Sequence, residues 1–325
     1  GQPGYGAPPQ GQPGYGAPPQ GQPGYGYGAG GPPPGYAARG PSPYAAGANV
    51  AAAGMITVDD LLRTAAELFK RNVPASLATG LLFSLPALAV NLASVVYMRS
   101  FFADAMRLGQ TGTNPASLLG DMTNLIGFSF AAAFVGMIFQ AMARGVFAFL
   151  AIESMAGRSP SFGPALAAAF GKIHLLAIVA FLETLAVAAG LMLCILPGIF
   201  VAVMLFISTV VVMAEDANPF EALSRSVQLT EGNRLNIFLA NLVVLVAWFS
   251  VACVIGIASP QADVNPLTGT FEMPSLTGQL VGVFIGHVVE IIRLVAFGFL
   301  AGVMYARIRG IRDGVDASEL ARVFA

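Results

Sequence analysis

The sequence predicts an all-α, polytopic membrane protein, with six transmembrane helices arranged as three hairpins, an interfacial amphipathic helix before each hairpin, and a disordered N-terminal tail. Three observations carry this. Of the 325 residues 56% are hydrophobic and only 10% are charged, with a mean hydropathy of +0.72, whereas a soluble domain carries roughly 25% charged residues. Beyond Met55 lie six apolar runs long enough to cross about 30 Å of hydrocarbon. A short, capped, two-faced segment stands before every second run.

Residues 1–54 are a different material from the rest. "GQPGYGAPPQ" occurs twice and decays into a Gly, Pro, Tyr and Ala tract whose only charge is Arg39. Such a segment has no apolar face to offset its ordering entropy, so disorder with local polyproline II character is expected. The tail reads as a solvated tether, the alternative being that its six tyrosines act as weak stickers for self-association or for a membrane or cytoplasmic protein partner. The clean repeats at the very start lead us to expect further tail upstream. Residues 55–312 form the membrane domain and 313–325 a short cytoplasmic C-terminal tail.

The predicted spans are Val73–Met98, Leu125–Ile152, Ile173–Leu193, Pro197–Met213, Leu235–Ala258 and Leu280–Tyr305. The third and fourth are joined only by "CILPG", a tight uncharged turn, and read as a helical hairpin. Before the first span, "TVDDLLRTAAELFKRN" opens with Thr57 and Asp60 in capping positions. Before the third, "SFGPALAAAFGKIH" starts at Ser161. Before the fifth, Asn218 is a strong N-cap, Pro219 suits the first helical position, Glu221 completes a reciprocal cap, and Gly232 reads as a left-handed stop. On that helix Phe220, Leu223 and Val227 share one face. Aligning Leu62, Leu166 and Leu223 also superposes Ala66, Phe170 and Val227, which suggests three copies of one unit.

Charge placement gives the expected orientation. One end would hold Arg63, Lys70, Arg71, Arg158, Lys172, Arg225, Arg234, Arg307, Arg309, Arg312 and Arg322, the other only Arg99 and Arg107, so both termini are expected in the cytoplasm. A formal net charge of −1 and a pI near 6.2 give no basic stripe and no reason to expect nucleic-acid binding. Cys194 and Cys253 lie inside apolar segments and read as buried free thiols.

Five polar side chains fall within the spans: Arg144, Glu183, His287, Glu290 and Arg293. A charge at the centre of a bilayer costs about 2.5–3.5 kcal/mol even on the insertion scale, so each must be paired or face water. Gly278, Gly282 and Gly286 repeat every four residues in the sixth span, a close-packing pattern, and Glu290 continues that stripe. Arg293 can pair with Glu290 three residues earlier, or with Glu183 across the core. These residues read either as structural ion pairs or as a polar path for transport. For catalysis the sequence offers little: "HVVE" at His287–Glu290 supplies two metal ligands where a catalytic zinc has three, and no phosphate loop or nucleophile elbow occurs. No catalytic, metal or cofactor residues are assigned.

The run "LPGIFVAVMLFISTVVVMAEDANPFEALSRSVQLTEGNR", Leu196 to Arg234, carries a Pro-Gly that opens a span, an acid that closes it, and a helix leading into the next span. It resembles the pattern of the membrane domain of bacterial glycerophosphoryl diester phosphodiesterases and YciC-like proteins. Pro197, Gly198, Glu215, Ala222, Leu223, Arg225, Ser226, Leu229, Thr230, Gly232 and Asn233 match. The resemblance implies a six-span protein of the bacterial inner membrane, surrounded by its lipid bilayer. It brings no agreed molecular activity, because the catalytic TIM barrel of the phosphodiesterases has no counterpart here. The expected function is a non-enzymatic membrane scaffold or lipid-associated accessory module. The alternative is a small transporter or permease-like protein using Glu183, Glu290 and Arg293.

Overall fold

The computed structural model describes residues 56–111, 116–258, 263–264, 271–272 and 274–324. The tail expected over residues 1–54 lies, Gly1 aside, outside the described residues.

Helix α1 (Val58–Arg71) opens the domain, with the Thr57 hydroxyl accepting from the Asp60 N–H at 3.3 Å. It buries Leu61, Thr64 and Leu68, leaves Asp59, Arg63, Glu67, Lys70 and Arg71 exposed, and turns Asp60 inward to pair with Arg307 at 3.0 Å. Asn72 ends it, donating from its side chain to the Leu68 carbonyl at 2.8 Å. The first hairpin follows as α2 (Val73–Thr111) and α3 (Ala116–Met155). At 1.5 Å rise per residue α2 is about 58 Å long, so this hairpin continues well past the hydrocarbon and past the predicted limits at Met98 and Leu125. Hydropathy marks where a span leaves the lipid, not where the helix ends.

Helix α4 (Phe162–Gly171) follows Ser161, whose extended backbone starts the helix without a side-chain cap bond. The second hairpin pairs α5 (Ile173–Leu193) with a broken fourth span, α6 (Ile195–Leu205) and α7 (Ser208–Glu215). Its tightness has a direct cause. A Cβ on Gly190 would stand 2.9 Å from the Cα of Gly198, and one on Gly198 would stand 2.4 Å from Leu191, so only hydrogen fits at the crossing. The Pro-Gly of the sequence motif is the element that lets these two spans fold back without a loop.

Helix α8 (Pro219–Thr230) begins as predicted, with Asn218 Oδ1 accepting from the Glu221 N–H at 3.0 Å. The return bond differs in detail: the Glu221 carboxylate accepts from the Asn218 side-chain amide at 3.0 Å. Gly232 adopts φ +82°, the left-handed stop. The third hairpin is α9 (Arg234–Ala258) and α10 (Leu276–Asp313), with a two-residue ladder between them in which β1 (Asp263–Val264) runs antiparallel to β2 (Phe271–Glu272). The chain closes with α11 (Ala317–Leu320) and a final 3₁₀ turn, Ala321–Phe324. This end packs on the bundle, burying Leu320 and Ala321, and the Ala321 carbonyl accepts from Arg158 at 3.0 Å.

The three units share a register at their first helices, where the aligned Leu61, Ala165 and Ala222 are all fully buried. α3 and α10 form the centre, and their crossing is close because a Cβ on Gly302 would stand 2.7 Å from that of Ala151. The core sits in the half of the bundle that carries α1, α4 and α8, called the basal end here, with Phe147, Leu150, Val211, Met213, Phe299 and Tyr305 buried. Toward the far end the helices present bare apolar faces, such as Phe130, Leu193 and Ile257, as lipid-facing spans do.

Two expectations change. Gly286 has no neighbour within 4 Å of where a Cβ would stand, so no helix presses on it there; close packing on α10 is found further along, at Gly298 and Gly302 under Phe147 and Ala151. Four-residue glycine spacing identifies a smooth face, and the depth at which a partner presses on it is set by the other helices. The free thiols of Cys194 and Cys253 are exposed, not buried, because one sits in the outer turn of the tight hairpin and the other on the outward face of α9.

Candidate functional site

The polar side chains fall into two layers. The basal layer is organised by the end of α7. Glu215 is its last residue, and Asp216 beyond it takes a left-handed conformation (φ 51°), which turns the chain toward α8. The Glu215 carboxylate accepts from Tyr305 Oη at 2.9 Å, from Arg225 Nε at 3.3 Å, and from Arg309. Asp313 accepts from Arg225 at 2.8 Å and pairs with Arg309 at 2.8 Å. Two acids and two arginines thus close a ring that ties the fourth span, α8 and the end of the sixth span together. Lys172 reinforces it by donating to the Val212 and Met213 carbonyls at 3.2 and 2.9 Å and pairing with Asp216, a cation at the negative end of α7.

The motif residues of α8 meet the break in the fourth span. The carbonyls that end α6 lack intrahelical donors. Ser226, fully buried, donates to the Met204 carbonyl at 2.7 Å, and the Thr230 hydroxyl reaches the same oxygen at 3.5 Å. The packed face of α8 is therefore Ala222, Ser226, Leu229 and Thr230, while Phe220 is exposed. Leu223 and Val227 are half-buried, with Leu223 packed against the core, while Phe220 at the start of the helix stands clear of it. Asn233 joins the third unit to the first by accepting from the Ile56 N–H at 3.1 Å. The topologically matching Asn72 bridges to Ser154 at 2.8 Å.

The second layer lies within the spans and is not one cluster. Arg144 of α3 donates to Glu183 of α5 at 3.1 Å, and the other Glu183 oxygen accepts from Ser208 at 3.1 Å. Ser208 is the first residue of α7, so the break in the fourth span places a helix N-terminus beside this carboxylate. Glu290 and Arg293 pair within α10, with Arg293 Nε donating at 2.8 Å, and the guanidinium lies over Trp248 and Phe297 at 5.8 and 5.9 Å. His287 is buried with Nε2 3.1 Å from the Ser84 hydroxyl. The choice left open for Arg293 resolves to Glu290, and Glu183 takes Arg144.

The sequence motif supplied Glu215, Arg225 and Ser226 but not Arg309, Asp313, Tyr305 or Lys172. A signal was available for the first two, as Arg309 and Asp313 are spaced four apart in the last turn of a helix. At the C-terminal turn Asp316 caps α11, and the Ser318 hydroxyl and Glu319 N–H hold its carboxyl below the usual carboxylate range.

Chemically, both layers present matched charge and satisfied carbonyls. Between α1, α2, α9 and α10 runs a cavity of about 280 Å³ lined wholly by apolar side chains, among which neither ion pair of the spans appears. No curated protein and no solved structure matches the chain. Residues 56–307 match the family described as "Domain of unknown function (DUF7847)", and over that stretch, from the start of α1 into the last turns of α10, the chain belongs to this family.

Proposed function

We propose that this is a non-enzymatic multi-pass protein of the bacterial inner membrane, a scaffold or lipid-associated module comparable to the membrane domain of the glycerophosphoryl diester phosphodiesterases and YciC-like proteins. The basal end, with its arginines and lysines, faces the cytoplasm, as the excess of positive charge there favours. The supporting observation is the closure of the charges within the spans: Glu183 on Arg144 and Ser208, Glu290 on Arg293. A permease working through Glu183, Glu290 and Arg293 needs a wet approach to them, and the apolar cavity offers none.

Extraction of the full chain in native-lipid discs, followed by lipid mass spectrometry and solute-uptake assays in vesicles, tests this reading. Enrichment of a lipid class over the bulk membrane without uptake is the expected result. Uptake of a water-soluble solute that Glu290→Gln abolishes would overturn it in favour of the permease.

A further inference from the structure

The cavity has a defined shape. Helices α2 and α9 both pack on α10 but hardly on each other, which leaves a crevice between the first and fifth spans with the sixth as its floor. α1 crosses the basal end of that crevice. Leu62, Ala66 and Phe69 of α1, Leu77 of α2, Val244 of α9 and Ala296 of α10 are among its twelve lining residues, all apolar. It therefore reaches from the interfacial helix into the depth of the spans.

Charge distinguishes the α1 rim. Asp60 is paired with Arg307 and Asp59 with Arg63. Lys70, one turn beyond Ala66, is exposed and forms no ion pair among the described residues. An uncommitted cation thus stands beside the mouth of an apolar crevice, at the level where an interfacial helix meets headgroups.

We infer that this crevice is a binding site for one glycerophospholipid of the basal leaflet, with an acyl chain lying between the first and fifth spans and the phosphate at Lys70. The inference rests on the lipid-associated reading above and names its ligand. The surroundings of the spans are acyl chains, and the lining carries no group that would hold water. At about 280 Å³ the space suits an alkyl chain and is too small to seat a helix, whose diameter with side chains is about 10 Å.

The test uses the full chain in phosphatidylcholine vesicles containing a phosphatidylglycerol with a diazirine on one acyl chain, with photoadducts mapped by mass spectrometry. Adducts should concentrate on 62–69 and 291–300 over lipid-facing controls at Phe130 and Leu191. Ala296→Phe, which fills the crevice, should remove these adducts and leave the controls unchanged. Should that variant fail to fold, Ala66→Trp at the exposed rim serves the same purpose. Lys70→Gln should lower crevice labelling about fivefold, the equivalent of ~1 kcal/mol for one lysine at an anionic surface. Crevice labelling equal to the controls, or indifferent to both filling variants, would show ordinary boundary lipid and overturn the site. Disulfide-linked dimers formed by Ala66→Cys, in a chain with Cys194 and Cys253 replaced by Ala, would overturn it in favour of a second chain. Solute uptake alongside crevice adducts would remove the scaffold reading while leaving the site standing, so the two failures are distinguishable.

Discussion

Glu290→Gln is the perturbation that weighs most on the intramembrane layer. The carboxylate holds both Nε and a terminal nitrogen of Arg293, with the two side chains 28% and 23% exposed. Removing one partner of a buried pair costs about 3–5 kcal/mol, because the remaining charge is left uncompensated. Trp248 and Phe297 lie under the guanidinium and offset part of this, about 0.5–2 kcal/mol. The expected net loss is ~1–4.5 kcal/mol. The double change Glu290→Gln with Arg293→Met should lose less than either sum implies, with a coupling of about 2 kcal/mol. The assay is unfolding by SDS titration in mixed micelles, followed by circular dichroism, with the single tryptophan, Trp248, as a local probe. Glu183→Gln should couple in the same way to Arg144→Met and not to Arg293→Met, since Arg144 is its partner. Additive effects in both cycles would refute closed pairing.

Ser226→Ala deletes the bond that satisfies the Met204 carbonyl at the break and should cost about 1–3 kcal/mol, against less than about 0.5 kcal/mol for the exposed Ser224→Ala; thermal unfolding in detergent measures both. Gly232→Val places a β-branched residue at φ +82° and should lower stability by about 1–2 kcal/mol, with Gly232→Asn milder, read as detergent melting curves. Gly302→Ala must displace Ala151 and should destabilise by about 1–3 kcal/mol, while Gly286→Ala, with open space around it, should be near neutral by the same measurement. Asp316 has a folded pKa depressed by hydrogen bonds, so its cap is present at neutral pH and is lost as pH falls through that lowered value; amide exchange at Glu319 should quicken only on that acid side.

The six spans and three preceding helices were legible because two strong signals coincided. Apolar runs marked the lipid, and Thr57, Asn218 and Gly232 marked helix ends with local chemistry that holds in any context. Three features were not legible. The extension of the first hairpin beyond the bilayer carries ordinary polar residues, which hydropathy reads as the end of a span. The break at Phe206–Ile207 occurs in a run with no Pro or Gly between Ile199 and Asp216, and it exists because α8 supplies hydroxyls to the freed carbonyl. The partners of the polar residues were legible only in part. Arg293 with Glu290 is local, whereas Arg144 with Glu183, and Arg225 with Asp313, depend on helices far apart in sequence. Arg225 and Glu215 both belong to the sequence motif, but the ring that joins them needed the end of α10.

The central claim, that the spans enclose their charges without a water path, is tested most directly at Ser208, which is fully buried against Glu183. In a chain with Cys194 and Cys253 replaced by Ala, Ser208→Cys should stay unmodified by a membrane-impermeant thiosulfonate applied to either face of native membrane vesicles, over a labelling time in which the exposed Glu231→Cys reacts completely. Thiol modification requires the thiolate and hence water, so even a rarely populated open state would accumulate product during the exposure. No modification at Ser208→Cys is the predicted result. Labelling from one face, and more so its suppression by an added solute, would contradict the closed arrangement.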